Sequence, residues 1–193
     1  FPESRKVLEF LRNASAIICC DGATVKLVEH EIEPSYIVGD MDSLPEQYKR
    51  QFETIISSSA DQYTNDLTKA VIKALELGFK ELVILGATGL REDHTLGNIG
   101  LLAEHGNKLI MQMVSDFGVF TPIYGDTEFS AFKAQQVSMF SILDKPLVSS
   151  HGLKYPLKKM PLENLWNGTL NESLSESFSL EFDRGCLVVF RAF

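Results

Sequence analysis

The sequence predicts an α/β protein in which an N-terminal, mostly parallel sheet flanked by helices is followed by a C-terminal antiparallel β-sandwich. In the first part of the chain, short apolar runs alternate with segments of helical period, a pattern typical of parallel sheets covered on both faces. From about residue 115 onward, helical periodicity disappears and two-residue alternation replaces it. We therefore predict an α/β domain over residues 1–114 and a β-sandwich domain over residues 115–193.

The elements of the first domain follow from apolar periodicity and from turn residues at their ends. The clearest is a helix over residues 66–77, because its apolar residues, among them Val71 and Ala74, recur on one side. Gly78 then supplies a left-handed stop. The other predicted elements are a helix over 4–13, strands over 16–20, 36–38, 54–56 and 81–85, a helix over 93–105 and a strand over 108–113.

The second domain shows the pattern of half-buried antiparallel strands. Phe178, Leu180 and Phe182 alternate with polar residues over 177–182. Similar segments at 129–132, 137–143 and 187–190 are separated by Gly, Asp, Pro and Asn turns. A small β-sandwich accounts for this spacing.

Composition and charge exclude several classes of protein. The chain has 193 residues, 45% of them hydrophobic, with a net charge of −8, which excludes a disordered chain and disfavours a general nucleic-acid binder. No apolar run reaches the ~18 residues that a membrane span needs. The three cysteines lack zinc-site spacing and lie beside apolar runs, which is typical of buried thiols in a reducing compartment. We therefore expect a cytoplasmic protein that binds neither nucleic acid nor membrane.

The acidic surplus is concentrated in one stretch of the chain. Ten acidic and three basic residues lie between Cys19 and Asp66, so this segment carries most of the net charge. Two interpretations remain open at this point, a solvated acidic face and a cation site. The positions of the aspartates favour the second, since six of the ten in the chain fall in four loops that follow predicted strands. Ligands of open α/β sheets bind at the carboxyl ends of strands.

One pair of these aspartates has the spacing of a metal site. Asp40 and Asp42 are separated by one residue, so in an extended segment both carboxylates point to the same side. Two such carboxylates repel each other unless a divalent cation lies between them, and Mg²⁺ prefers carboxylate oxygen. Asp66 is a plausible third ligand, although a first-turn aspartate that stabilises the helix dipole is the alternative.

A second polar loop, over residues 86–94, has features of a phosphate site. Its glycines allow close backbone approach, the following helix offers free amide groups, and Arg91 supplies a planar donor fork. The alternative is that Asp93 only caps the helix and His94 only fills its first turn. Walker and Rossmann glycine motifs are absent from the sequence. Together, the two loops predict a Mg²⁺-dependent enzyme that acts on a phosphorylated, nucleotide-type substrate.

Several motifs along the chain resemble those of the thiamine pyrophosphokinase family, in order and in spacing. They include Gly-Asp-Met-Asp-Ser-Leu at 39–44 and Arg-x-Asp-His-Thr-Leu-x-Asn-Ile at 91–99. The other similar segments are residues 21–23, 61–62, 65–70, 86–89, 152–157 and 168–172. The likeness covers nearly the whole chain.

The resemblance implies transfer of a pyrophosphoryl group from ATP to the hydroxyl of thiamine, giving thiamine diphosphate and AMP. It implies a nucleotide-binding first domain, a thiamine-binding second domain, and a homodimer with active sites at the subunit interface. The Mg²⁺-binding and catalytic residues that it implies are Asp40, Asp42 and Asp66. The ATP-binding residues that it implies are Gly86, Thr88, Arg91, Asp93 and His94. Asp21 and Gln62 match positions near the substrates, and Asn171 matches a residue that reaches thiamine from the partner subunit.

Departures from the family pattern keep other functions open. Leu170 stands where the family has Ser, and Leu90 where it has Gly. One alternative is a related pyrophosphokinase for another primary alcohol, such as a hydroxymethylpterin. Another is a non-enzymatic module that binds Ca²⁺ or sugar through its acidic surface.

Overall fold

The chain forms two compact units in a computed structural model that describes residues 1–58, 61 and 63–193. The units are Phe1–Gly86 and Ala87–Phe193. Within the described residues, no helix has the length and apolar character needed to cross a membrane.

The first unit contains a parallel sheet of three strands in the order β1-β2-β3. Its strands are β1 (Ile18–Cys20), β2 (Tyr36–Gly39) and β3 (Ile56–Ser58). Its helices are α1 (Arg5–Asn13), α2 (Ala23–Glu29), α3 (Glu46–Gln51) and α4 (Asp66–Glu76), with a short 3₁₀ turn over Glu53–Ile55. A further strand, β4, spans Glu81–Leu85.

Burial explains why helix α4 forms where the periodicity predicts it. Its residues Ala70, Val71 and Ala74 are buried, and the helix packs on β1 and β2. The Asn65 side chain caps the helix by accepting a hydrogen bond from the Thr68 N–H at 2.8 Å. The cap therefore fixes the start of the helix, so that Asp66 is its first residue.

The second unit contains one helix and two antiparallel sheets. Helix α5 (Glu92–His105) packs on three of the strands. The strands are β5 (Ile110–Ser115), β6 (Gly118–Ile123), β7 (Thr127–Ser130), β8 (Gln136–Ser141), β9 (Leu147–His151), β10 (Met160–Pro161), β11 (Gly168–Glu172), β12 (Ser177–Phe182) and β13 (Leu187–Ala192). One sheet has the order β10-β9-β12-β7, and the other contains β11-β8-β13-β6-β5.

Side chains from both sheets form one hydrophobic cluster. Phe178 and Leu180 of β12 are buried together with Leu187 and Val189 of β13. Phe178 also stacks on Phe129, with 5.1 Å between ring centroids. The predicted fold class, a parallel sheet with helices followed by antiparallel sheets, is confirmed.

The strand expected over 108–113 is present as β5, whereas helices α2 and α3 and strand β6 have no counterpart in the sequence prediction. Strand β5 pairs antiparallel with β6, placing Met113 opposite Phe120. The short connection between the two strands explains this pairing. Only two residues separate the strands, and the Ser115 hydroxyl accepts the Phe117 N–H within this turn. A parallel crossover needs a dozen or more residues.

Candidate active site

Asp21, Asp40 and Asp42 form a cluster of carboxylates at the ends of strands β1 and β2. Each of the three places one carboxylate oxygen within 4.8 Å of the others, and we call this group the aspartate cluster. Asp21 is buried, with 2% of its surface exposed, whereas Asp40 and Asp42 are exposed. The structure thus joins residues from two strand ends, as the rule for open α/β sheets predicts.

The loop that carries Asp40 and Asp42 is a turn, and the assumption of an extended segment is wrong. Met41 has a left-handed backbone with φ +67°, which is uncommon for a residue with a side chain. Its side chain is buried beside Ile37 and Leu44. Because the Met41 side chain is buried, the carboxylates of Asp40 and Asp42 on either side of it remain exposed. The turn at Met41, and not the alternation of an extended strand, therefore brings the two carboxylates together.

Hydrogen bonds fix part of the aspartate cluster and leave one atom unsatisfied. The Ser43 N–H donates to Asp21 Oδ2 at 3.2 Å, and the Asp42 N–H donates to Asp40 Oδ1 at 3.3 Å. The Ser43 hydroxyl donates to Asp42 Oδ1 at 3.2 Å. Asp21 Oδ1 is buried without a hydrogen-bond partner among the described residues. A buried carboxylate oxygen without a partner is costly, and a bound cation would satisfy it.

The pKa of Asp21 agrees with a cation site at the aspartate cluster. Burial raises its pKa above the ordinary value, and the nearby carboxylates of Asp66, Asp40 and Asp42 raise it further, against the opposing Ser43 N–H. The pKa of Asp40 is lowered, chiefly by the hydrogen bond from the Asp42 N–H. The aspartate cluster therefore contains one carboxyl with a raised pKa, that of Asp21, and one with a lowered pKa, that of Asp40.

Gly39 allows the two strand ends to approach so closely. A Cβ atom at this position would lie 2.6 Å from Asp21 Cβ, closer than real Cβ atoms come. Its φ of +154° also lies where side chains are rarely found. The same Cβ position is 3.3 Å from Asp66 Oδ2, so Gly39 lies between Asp21 and Asp66.

Asp66 lies next to the aspartate cluster but outside its group of three converging oxygens. Its Oδ1 accepts a hydrogen bond from Lys69 Nζ at 3.0 Å, and the two form an ion pair across one helical turn. Only 8% of Lys69 is exposed. Lys69 was not recognised from the sequence, where its i,i+3 spacing from Asp66 was the available signal.

The third strand-end loop contributes a local turn. Asp61 accepts hydrogen bonds from the Tyr63 N–H at 2.9 Å and from the Thr64 hydroxyl at 2.5 Å. These bonds, the hydroxyl one first, lower its pKa. Gln62, predicted as a substrate-binding residue, lies outside the described residues.

Two glycines of the loop over residues 86–94 have left-handed backbone conformations. Gly86 and Gly89 have φ of +68° and +92°, and a Cβ at either would meet nothing within 4 Å. Arg91 holds Asp93 with two bonds, from Nε to Oδ1 at 3.1 Å and from Nη2 to Oδ2 at 2.5 Å. The Arg91 partner lowers the pKa of Asp93. Asp93 is bound to Arg91 and to the His94 N–H, while Thr88 is half-buried and His94 is exposed.

Asn171 is buried and its side chain supports the chain at Tyr155. Asn171 Oδ1 accepts the Tyr155 N–H at 3.1 Å, and Nδ2 donates to the Tyr155 carbonyl at 2.7 Å. The neighbouring Leu170 is 81% exposed and has a left-handed φ of +60°, at an irregularity in the pairing of β11 with β8. Backbone strain of this kind, about 1–3 kcal/mol, is often found at functional sites. The thiamine contact implied for Asn171 stays a prediction.

Replacing Asp21 by Asn is expected to stabilise the metal-free protein, and the gain is expected to grow with pH. Because the folded pKa of Asp21 is raised, its contribution to stability is fully present below the unfolded value near 3.8 and is lost as pH rises through the folded pKa. Asn carries no such penalty. Urea unfolding of both proteins in EDTA across this pH range measures the difference. If the difference in the free energy of unfolding did not depend on pH, or if the variant were less stable at neutral pH, the raised pKa of Asp21 would be contradicted.

Comparison with known proteins gives a consistent result over both units. The model of the thiamin pyrophosphokinase catalytic domain matches residues 7–113, and that of the thiamin pyrophosphokinase substrate-binding domain matches residues 118–190. A thiamine pyrophosphokinase from Bacillus subtilis is 29% identical over 183 residues, which cover 89% of this chain and 85% of the relative.

Solved structures agree with the sequence comparison. The crystal structure of thiamine pyrophosphokinase from Bacillus subtilis has a TM-score of 0.76 at 26% identity, covering 91% of this chain and 86% of that one. Thiamin pyrophosphokinase from Candida albicans has a TM-score of 0.85 over all of this chain and 88% of that one, and at 18% identity it supports the fold alone. The family predicted from the motifs is confirmed: this chain belongs to the thiamin pyrophosphokinase family.

Proposed function

We propose that this chain transfers the pyrophosphoryl group of ATP to the hydroxyl of thiamine at a site whose Mg²⁺ is held by the aspartate cluster together with Asp66. Membership of the family supports the activity. The observation that carries the site is the convergence of three carboxylate oxygens within 4.8 Å, one residue of the three being buried. Asp21 thereby joins the metal ligands inferred from the sequence, Asp40, Asp42 and Asp66.

The chemistry of these residues fits a hard divalent cation. The ligand set is made of carboxylate oxygens, which Mg²⁺ prefers. Asp21 Oδ1, which has no hydrogen-bond partner among the described residues, supplies an unused lone pair. Asp40 and Asp42 are exposed, which leaves one side of the site open to substrate phosphates. When bound, Mg²⁺ supplies charge neutralisation for the phosphates of ATP.

The protein's own residues then bind and orient the substrates. We propose that Gly86, Thr88, Arg91, Asp93 and His94 bind ATP, with Asp93 holding the Arg91 fork ready for phosphate oxygens. In the reaction, the thiamine hydroxyl oxygen bonds to the β-phosphorus in line and releases its proton to water. The bond from that phosphorus to the α–β bridging oxygen breaks, and AMP leaves with the bridging oxygen. Positioning and electrostatics account for most of such catalysis.

The second unit has features that support a role in thiamine binding and dimerisation. Asn171 fixes the backbone at Tyr155, and the side chains of Tyr155, Trp166 and Leu170 are exposed. Large exposed aromatic and apolar side chains are typical of interfaces. We propose a cytoplasmic homodimer with active sites at the subunit interface; the three cysteines, none of them in a disulfide, fit a reducing compartment.

Arg91→Lys is expected to raise the KM for ATP about tenfold, or about 1.4 kcal/mol of lost binding. Lys presents a point charge and cannot reproduce the planar fork that Asp93 holds. Steady-state kinetics with ATP varied at saturating thiamine measures the change. Arg12→Lys, on the exposed surface of α1, is the matched control and should leave KM unchanged. Equal KM values for both variants would remove Arg91 from the ATP site.

Both family models describe thiamin pyrophosphokinase domains, one of them the substrate-binding domain, so a pyrophosphokinase for another alcohol is not favoured. The test measures AMP release from Mg-ATP with thiamine and with a hydroxymethylpterin at equal concentrations. We expect AMP release with thiamine and background release with the pterin. Faster release with the pterin would overturn the proposed substrate.

A further inference from the structure

Lys69 is a buried cation beside the proposed metal ligands, and the proposed reaction gives it no role. Among the ion pairs of the described residues, it is the least exposed lysine or arginine, at 8% of its side chain. Its ammonium lies 3.0 Å from Asp66 Oδ1. Burying a lysine is costly unless its charge is paired, and Asp66 supplies the paired charge here.

The contact fixes how the Asp66 carboxylate is turned. With Oδ1 bound to the ammonium, Oδ2 is the oxygen that lies 3.3 Å from the Cβ position of Gly39. The same Cβ position lies 2.6 Å from Asp21 Cβ, so Oδ2 occupies the side of Asp66 nearest the strand end that carries Asp21. Lys69 therefore binds Oδ1 of Asp66, and Oδ2 of the same carboxylate lies beside the aspartate cluster.

We propose that Lys69 is a positioning residue that holds Asp66 in the orientation needed for metal binding, an inference that rests on the proposed function. The alternative is that Lys69 serves only as a counter-charge. The two roles predict opposite changes in metal affinity when Lys69 is removed. Removing a counter-charge strengthens the attraction between the carboxylates and a cation. Removing a positioning residue weakens metal binding, by about 10–100-fold for partners of metal ligands.

The test measures Mn²⁺ binding to the whole chain without nucleotide, by calorimetry. Lys69→Met is expected to weaken Mn²⁺ binding at least about tenfold, and Lys69→Arg to recover part of the loss. Lys73→Met is the matched control: it removes the same charge one turn further along α4, where Lys73 lies 5.7 Å from the Tyr36 ring centroid. It should leave the affinity unchanged. If Lys69→Met does not fold, Mn²⁺ binding is measured with Lys69→Gln, for which we expect the same loss of affinity.

A double-mutant cycle decides whether Lys69 acts through Asp66. In an Asp66→Asn background, Lys69→Met should produce no further loss of Mn²⁺ affinity. Unchanged or tighter binding by Lys69→Met alone, or an equal loss in both backgrounds, would overturn the inference. Asp40→Asn and Asp42→Asn separate this outcome from failure of the site itself. If these variants also bind Mn²⁺ normally, the proposed metal site fails.

Discussion

Asp42→Asn is expected to lower kcat for thiamine-dependent AMP formation at least about a thousandfold, equivalent to about 4 kcal/mol of transition-state stabilisation. Asp42 belongs to the aspartate cluster and is exposed, so the change removes a metal ligand without opening a cavity. Its side chain accepts one described hydrogen bond, from the Ser43 hydroxyl, which Asn can also accept. The free energy of unfolding should therefore change by less than about 1 kcal/mol.

Glu46→Gln provides the matched control for this loss of charge. Glu46 is exposed on α3 and pairs with Lys49 at 2.8 Å, and the exchange removes one negative charge from the same unit. It should leave kcat unchanged. Turnover by Asp42→Asn within tenfold of the unmodified protein would contradict a catalytic role for the aspartate cluster.

Gly39→Ala is expected to destabilise the protein by about 2–3 kcal/mol and to abolish turnover in the molecules that remain folded. The added Cβ would lie 2.6 Å from Asp21 Cβ and would impose a side chain at φ +154°. Because Asp21 and Asp66 flank Gly39, relief of the clash moves proposed metal ligands. Urea unfolding measures the first effect, and AMP formation per folded molecule measures the second.

Gly78→Ala separates backbone strain from the clash. Gly78 has φ +79° at the end of α4, and a Cβ there would meet nothing within 4 Å. This variant should lose about 1 kcal/mol of stability and keep its activity per folded molecule. Equal losses of activity in the two glycine variants would show that the contact between Gly39 and Asp21 is irrelevant to catalysis.

Much of the aspartate cluster was predictable from the sequence, because strand-end loops of a parallel sheet meet at one edge. Asp40 and Asp42 were identified in this way, but for an incorrect local reason. The sequence pattern does not show that Met41 turns inward with a left-handed backbone, since this depends on its packing against Ile37 and Leu44. The convergence is a property of the packed core.

Other features depend on contacts between residues far apart in the chain. Asp21 is expected near the substrates from the sequence. Its burial, and the lack of a partner for its Oδ1 within the described part of the chain, follow from the approach of β2 to β1. The amide of Asn171 is bound to Tyr155, sixteen residues away, across a pairing that periodicity does not reveal. The pairing of β5 with β6 was not predictable from the apolar run of β5, which is compatible with either direction of pairing, because the short turn after it decides.

The most direct test of the account is to follow the phosphorus-containing products formed from Mg-ATP and thiamine by ³¹P NMR. The proposed reaction gives AMP and thiamine diphosphate in equal amounts, with no product when thiamine is omitted or EDTA is in excess. ADP with thiamine monophosphate, or AMP formation that does not depend on thiamine, would contradict it.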